Sequence, residues 1–125
     1  MTDDLTLSNL HFFNGTTQYH KIPLFSFANL TDGVIYAAQN GYRWFITDAL
    51  SVIACDKKIR EESFLSINLK LFENKDSMTD SKKAKMIITD GNNKTLYTQN
   101  YNYTSAKKEL QLFYTNNVLM LSGEY

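Results

Sequence analysis

Two carboxylates in the segment 30–50 are the first candidates for chemistry in this chain. Asp32 and Asp48 lie sixteen positions apart, and Trp44 lies one helical turn before Asp48. Two carboxylates that meet in space can act as general acid and base, or can hold a metal ion. Each also has a structural interpretation: Asp32 fits a helix cap, and Asp48 fits a half-buried acceptor for a Trp, Tyr or backbone donor. We favour the structural interpretation, and keep a small pocket lined by these three residues as the alternative.

Other nucleophilic and metal-ligating residues are sparse. His11 and His20 are the only histidines, and no cysteine or acidic residue lies at metal-ligand spacing from either. The single cysteine, Cys55, ends an apolar helical face and is expected to be a small core residue rather than a nucleophile. We therefore expect no catalytic residue, no metal site and no cofactor.

A row of tyrosines is the strongest candidate for a binding surface. Tyr97, Tyr101 and Tyr103 fall in a predicted strand, where they point the same way and alternate with polar residues. Exposed tyrosine amid asparagine and threonine is typical of protein interfaces. Basic residues are expected near the rim of this surface: Lys82, Lys83 and Lys85. The alternative is that the tyrosines pack under the N-terminal segment.

The charge balance argues against nucleic acid as the partner of that surface. Bases stack on aromatic rings, so tyrosines beside lysines could in principle bind a single strand. The thirteen basic and thirteen acidic residues cancel, however, and acidic residues flank the basic clusters. Non-specific binding depends on a surplus of Lys and Arg that neutralises phosphates. We expect a solvated charged face, and keep a nucleic-acid-binding accessory protein as an alternative.

Length and composition predict one domain over residues 1–125. Hydrophobic residues at 43% and aromatic residues at 14% exclude a mainly disordered chain. One cysteine excludes an internal disulfide and suits a reducing cytosol. The acidic N-terminus lacks the basic start of a signal peptide, and no apolar run approaches membrane-spanning length. We expect a cytoplasmic protein without membrane contact.

The elements that position these residues change in period near residue 60. A helical pattern over 31–55 predicts two helices, separated at Asn40-Gly41, a typical helix-end signal. From residue 63 to 122 the period becomes two, which predicts mainly antiparallel strands. The residues expected to be buried are Phe45, Ala49, Ile53, Leu65, Ile67, Leu69 and Leu71.

Turn residues divide the strand region. The polar run 73–85 is expected to be an exposed loop, and the Asn116-Asn117 dipeptide predicts a tight hairpin because both residues tolerate positive φ. We therefore predict an α+β fold in which two helices pack on an antiparallel meander of four to five strands.

Four segments of the chain resemble an uncharacterised family of small proteins from phages and bacterial mobile elements. They read "FFNGTTQYHK", "LTDGVIYAAQNG", "WFITDAL" and "LQLFYTNNVLMLSGEY", in order along most of the chain. The family pattern is Phe-x-Gly-Thr, Thr-Asp-Gly-Val, an aromatic-rich helix entry before Asp-Ala, and Glu-Tyr near the end. The matching residues are Phe13, Gly15, Thr16, Thr31, Asp32, Gly33, Val34, Asp48, Ala49, Glu124 and Tyr125. Phe45, with Trp44 beside it, stands where the pattern has Trp.

The resemblance implies a biological setting, and no activity comes with it. Small phage-borne proteins without catalytic motifs commonly bind and block a host protein, and immunity effectors, including CRISPR complexes, are frequent targets. We therefore expect a non-catalytic inhibitor of a host protein in the bacterial cytoplasm. A small enzyme with a pocket around Asp32, Trp44 and Asp48 is the enzymatic alternative. A homo-oligomer is compatible with the sequence.

Overall fold

Helices cover one face of a six-stranded sheet in the computed structural model of the chain, which describes residues 19–22, 25–73, 82–104 and 106–125. The predicted α+β class is confirmed. The elements are β1 (Asn29–Leu30), α1 (Asp32–Ala37), α2 (Arg43–Cys55), α3 (Lys57–Arg60), β2 (Leu65–Glu73), β3 (Lys82–Thr89), β4 (Thr95–Thr104), β5 (Leu110–Thr115) and β6 (Val118–Leu121). A 3-10 turn, Ser122–Glu124, follows β6. No helix in this part of the chain is long and apolar enough to cross a membrane.

Asn40 and Gly41 interrupt the helical region at the point that the sequence predicts. α1 leads into α2 through a kinked turn, Ala38–Tyr42, whose backbone leaves helical geometry at Asn40 and Gly41. Within this turn Asn40 has φ −114° and ψ 32°, and Gly41 has φ 99°, a left-handed value that favours glycine. The prediction of two separate helices is only roughly matched, because the helical segment runs from Asp32 to Cys55 with a kink. The short α3 follows it.

The apolar face of α2 forms the centre of the core. Its buried residues are Phe45, Ile46, Ala49, Leu50 and Ile53. They belong to one core cluster with Leu65, Ile67 and Leu69 of β2, which are fully buried. Burying a side chain of this size stabilises the fold by about 1.5–3 kcal/mol relative to exposing it. The predicted core is confirmed except at Leu71, which is only partly buried near the end of β2.

The strand order is β1-β6-β5-β2-β3-β4, so the predicted antiparallel meander of four to five strands is only roughly matched. β2, β3 and β4 pair in sequence, but β5 pairs with β2 instead of β4. β1 pairs in parallel with β6, which makes the sheet mixed. The reason is physical: alternation of apolar and polar residues predicts the face that a side chain occupies, and carries no information about the neighbouring strand.

The turns of the strand region agree with the sequence at one position and differ at another. Asn116 and Asn117, with φ of 53° and 61°, join β5 to β6, which confirms the predicted hairpin. The predicted loop over 73–85 is too long, because β2 extends to its first residue and β3 begins at Lys82. The alternation of polar and apolar residues continues into the polar run. Residues 74–81 lie outside the described part of the chain, as do His11 and the first family motif.

Candidate functional site

Asp48 and Tyr101 join α2 to β4. The Tyr101 hydroxyl donates a hydrogen bond of 2.8 Å to Asp48 Oδ2. The Trp44 ring, one turn earlier on α2, packs edge-on against Tyr101 with ring centroids 5.0 Å apart, a favoured geometry for an aromatic pair. Asp48 is therefore a half-buried acceptor for a tyrosine, as the structural interpretation predicts.

Tyr101 is held in its protonated form. Burial raises the pKa of Tyr101 well above its ordinary value near 10, and the hydrogen bond to Asp48 and the charge of Asp48 raise it further. A phenol in this state donates a hydrogen bond, and it does not supply a base or a nucleophile near neutral pH. The pair therefore connects a helix to a strand through a hydrogen bond from a phenol to a carboxylate.

An open groove of about 430 Å³ lies beside this pair, between α2 and β4. Its volume falls within the range of about 300–1,000 Å³ that is usual for ligand pockets. Its lining residues are Asp48, Ser51, Val52, Cys55, Asp56, Tyr97 and Gln99. Of the three residues in the enzymatic alternative, only Asp48 lines this groove, so the groove does not assemble the predicted pocket.

The groove contains a thiol, and the described lining residues include no group that would activate it. Cys55 is exposed, which corrects the expectation of a core residue: it is the last residue of α2, and the chain leaves the helix at Asp56. No histidine or lysine is among the lining residues, and an activated thiol needs such a neighbour. Among the residues that the structure describes, no three His, Cys, Asp or Glu side chains form a group that could hold a metal ion. The lining suits binding through hydrogen bonds, charge and a tyrosine ring.

Two carboxylates give the groove negative character. Asp56 caps α3, since its Oδ1 accepts hydrogen bonds from the backbone N–H groups of Lys58 at 3.0 Å and Ile59 at 3.3 Å. From the described residues Asp48 receives one hydrogen bond, that of Tyr101, whereas an ionised carboxylate can accept about four. Both carboxylates therefore retain acceptor capacity toward a ligand in the groove.

β4 is an edge of the sheet, and none of the described strands pairs with its outer side. Its ten residues, "TLYTQNYNYT", include no charged side chain and no proline. Proteins usually protect an edge strand with lysine, proline or short length, because its unpaired backbone groups attract other chains. Register shifts near both ends of β4 leave Tyr97–Tyr101 as a regular stretch. The edge beside the groove is therefore long and uncharged, and within the described ranges it is unpaired; we call it the open edge.

Alternation along the ladders identifies the backbone groups at this edge. The Leu71 N–H donates a hydrogen bond to Glu109 Oε2, and Glu109 directly precedes β5. The backbone N–H and C=O groups of Leu71 therefore point toward β5 and away from β3. Its partner Ala84 then points away from β2, toward β4, where it faces Tyr101. The backbone N–H and C=O groups of Tyr101 accordingly form hydrogen bonds with β3. By the same alternation, Thr98 and Asn100 direct their N–H and C=O groups outward, and both side chains are exposed.

Tyr97 and Tyr101 share a face of β4, as predicted, and that face is turned toward the helices. They lie opposite Ile88 and Ala84 of β3, which are core residues. Both tyrosines are half-buried, and the Tyr97 hydroxyl donates to Gln99 Oε1 at 2.9 Å. The sequence signal for this orientation is the polar face formed by Thr, Asn and Asn between the tyrosines, which belongs in water.

The structure does not bring the tyrosines and the lysines onto one face. Lys85 lies opposite Asn100, so Lys85 and Lys83 project from the face of the sheet that is turned away from the helices. Both lie one strand from the open edge. Lys82 begins β3 and Tyr103 lies near the end of β4, and their side chains are outside the described structure.

A second polar cluster, apart from the groove, joins the start of α1 to the 3-10 turn after β6. Thr31 Oγ1 donates to Glu124 Oε1 at 2.6 Å, and Glu124 Oε2 accepts from the Gly33 N–H at 3.3 Å. Glu124 Oε1 also accepts from the Leu121 N–H at 2.8 Å. Thr31 is the N-cap of α1, since its hydroxyl accepts from the Val34 N–H. These contacts bring the Thr-Asp-Gly-Val and Glu-Tyr motifs together.

Asp32 follows Thr31 at the start of α1, is paired with His20, and is not among the residues that line the groove. Its Oδ1 lies 2.8 Å from His20 Nε2, and both side chains are about one-third exposed. A pair with this exposure contributes roughly 0–1 kcal/mol to stability. Asp32 and Asp48 therefore have different partners in different parts of the molecule.

The comparisons with known proteins return a family without an assigned role. A family model described as "Family of unknown function (DUF6876)" matches residues 4–125. No match was found among the curated proteins or among the solved structures.

Proposed function

The chain belongs to the DUF6876 family, whose function is unknown, and we propose that it acts by stoichiometric binding to another protein. The observation that carries this proposal is the open edge of β4. An extended segment of a partner can add to such an edge through main-chain hydrogen bonds, while neighbouring pockets take its side chains. Thr98 and Asn100 offer outward backbone groups, and the groove along α2 lies on the helix side of the same strand.

Tyr97 and Tyr101 of β4 are the anchor residues of the proposed interface. Tyr97 lines the groove, and Tyr101 is fixed by Asp48 and Trp44. A rigid, half-buried aromatic ring loses little conformational freedom on binding, and truncating such an anchor commonly costs about 2 kcal/mol or more. Tyr97→Ala is therefore expected to weaken binding strongly, because Tyr97 lines the groove. The variant leaves the hydrogen bond between Tyr101 and Asp48 in place, so the fold should be retained.

Lys82, Lys83 and Lys85 are the rim residues of the proposed interface. Lys83 and Lys85 lie one strand inside the open edge, on the face turned away from the helices. Charges at a rim mainly alter the association rate and the salt dependence of binding. Charge reversal at Lys82 and Lys83 is expected to slow association chiefly at low salt, with little change in the dissociation rate.

The target that we propose is a host protein of bacterial antiviral defence, with CRISPR effector complexes among the candidates. The support for this is the resemblance of the Thr-Asp-Gly-Val, Asp-Ala and Glu-Tyr motifs to proteins of phages and mobile elements, together with the neutral net charge. The proposed place of action is the bacterial cytoplasm. An inhibitor that acts by occupying a surface needs neither a cofactor nor turnover.

An affinity purification followed by a titration tests the proposed function. The full chain is immobilised, a retained protein from a bacterial lysate is identified and purified, and its activity is titrated with the chain. We expect a sharp endpoint near equimolar. A complete effect at about a hundredth of that ratio would show turnover and contradict the proposal, because one enzyme molecule processes many targets. Retention of nucleic acid without a protein would contradict it as well.

A pair of proline variants separates edge binding from folding. Thr98→Pro removes an outward N–H and is expected to keep the melting temperature while it abolishes target binding, since proline is tolerated at the free side of an edge strand. Gln99→Pro removes an N–H that bonds to β3 and is expected to destabilise the fold. If Thr98→Pro binds the target like the parent chain, the open edge is not the contact surface.

A further inference from the structure

We infer that the segment bound at the β4 edge is an extended peptide that places a lysine or arginine side chain in the groove between α2 and β4. This inference rests on the proposed function, and it names the chemistry of the partner.

The geometry of strand addition defines where the side chain enters. In an antiparallel ladder, the residue of the partner directly opposite Gln99 projects to the helix side of the sheet, because Gln99 itself does. Gln99 and Tyr97 form the strand wall of the groove, and Asp48 lies on the helix wall. The side chain opposite Gln99 therefore enters beside the Asp48 carboxylate.

The charge of the groove selects a basic side chain. Among the described residues, its lining contains Asp48 and Asp56 and no basic residue. Asp48 has used one of its acceptor positions, and Asp56 accepts only backbone N–H groups of α3 among the described residues. Lys58 and Lys94 line a second depression, which has Asp56 in common with the groove. An acidic partner side chain would meet only like charge at this position.

The shape of the groove agrees with a long side chain that has an apolar stem. Val52 and the Tyr97 ring offer apolar surface along the groove, and Asp48 and Asp56 line the same groove. Lysine and arginine bury their methylene stems against apolar surface and keep the charged end near carboxylates and water. A cation beside the Tyr97 ring gains further attraction from the ring face.

A peptide selection on the full chain tests the inference. Random displayed peptides of about eight residues, the length of an ordinary strand, are selected on the chain and on its Asp48→Asn variant. We expect the peptides selected on the parent to share β-branched residues at alternate positions and one Lys or Arg at a fixed position. Asn keeps an acceptor for Tyr101 but removes the charge, so selection on Asp48→Asn should lose the basic residue. Asp90→Asn, in the β3–β4 turn, is the matched control and should keep it.

Affinity and hydrogen exchange give the decisive comparison. On the parent chain, replacing the fixed Lys or Arg of a selected peptide with Gln should raise the Kd by about tenfold or more. Bound peptide should slow amide exchange at Thr98 and Asn100. Selected peptides that protect these amides without any basic residue would overturn the inference and leave strand addition standing. Peptides that leave both amides unprotected would overturn the inference and also remove the edge from the proposed function.

A second copy of this chain is the other candidate occupant of the β4 edge, and it predicts a different experimental result. A second copy that pairs β4 with β4 would slow exchange at Thr98 and Asn100 as protein concentration rises, with no peptide present. That result, with a dimer in light scattering, would overturn the inference, because the edge would already be occupied. A monomer at all concentrations used, with peptide-dependent protection, supports it.

Discussion

Thr31 and Glu124 lie ninety-three residues apart in the sequence and share a hydrogen bond of 2.6 Å between their side-chain oxygens. The same carboxylate accepts from the backbone of Gly33 and of Leu121, so one side chain joins the start of α1 to the end of β6. This contact gives the Thr-Asp-Gly-Val and Glu-Tyr motifs a shared structural purpose. It also leaves the groove between α2 and β4 as a separate region of the molecule.

Removing the Glu124 carboxylate should destabilise the fold. Glu124→Ala leaves the Gly33 and Leu121 N–H groups and the Thr31 hydroxyl without their acceptor, and an unpaired buried donor costs about 1–3 kcal/mol. The free energy of unfolding in urea measures the loss. Glu61→Ala is the control, because Glu61 is largely exposed and its contact with Lys57 is a surface pair. Equal stability of the two variants would show that the Glu124 contacts carry no net free energy.

Gly33 should not tolerate even one added methyl group. A Cβ at this position would lie 2.5 Å from Glu124 Oε1 and 2.7 Å from Leu121 Cδ1. Overpacking of this kind costs typically about 1–3 kcal/mol. Gly123→Ala is the matched control, because a Cβ there meets no atom within 4 Å. Thermal unfolding of both variants should show a clear loss for Gly33→Ala alone; a loss of the same size at Gly123 would mean that the close contact is not the cause.

The Asp48 carboxylate should contribute to stability apart from any partner. Asp48→Ala leaves the Tyr101 hydroxyl, held between α2 and β4, without its acceptor. We expect a loss of about 1–3 kcal/mol in the free energy of unfolding. Asp48→Asn keeps an acceptor and should lose less. If Asp48→Ala melts like the parent but loses all target binding, the residue belongs to the binding surface and has no structural role.

Tyr101 should make the fold sensitive to alkaline pH. Its pKa in the folded chain is raised by burial and by Asp48, so above about pH 10 the unfolded chain releases this proton first. The unfolded state then binds fewer protons, and the free energy of unfolding falls as pH rises; below that pH the contribution is fully present. Tyr101→Phe should therefore lose less stability than the parent between about pH 9 and pH 11. The exposed Tyr125→Phe is the control, and a parental slope in Tyr101→Phe would contradict the prediction.

Local periodicity and turn chemistry were sufficient to predict most elements of this fold. The core face of α2, the faces of β2 and the positive φ angles at Asn116 and Asn117 all follow from residues close in sequence. The placement of β5 against β2 does not, because strand alternation carries no information about neighbours. β1 has only two residues, too few for a period.

The sequence indicated Asp48 and Tyr97 of the groove lining as candidate site residues, and it predicted neither the other lining residues nor the orientation of the tyrosines. Alternation placed Tyr97 and Tyr101 on one face of a strand, but an aromatic face can meet either a partner or a helix layer. The structure turns that face toward α2, where Asp48 and Tyr101 meet across fifty-three residues. The open edge beside them depends on strand order, which sequence patterns do not specify.

The parallel pairing of β1 with β6 has a consequence for how the protein is made. β1 and α1 emerge from the ribosome before β2 to β5, and β6 and Glu124 emerge after those strands. Until then the Asn29 N–H lacks the carbonyl of Asn117, and the Gly33 N–H lacks its carboxylate. Folding during translation is therefore expected to leave β1 and the start of α1 without these partners until β6 and Glu124 have left the ribosome. Contacts of such long sequence separation also form slowly.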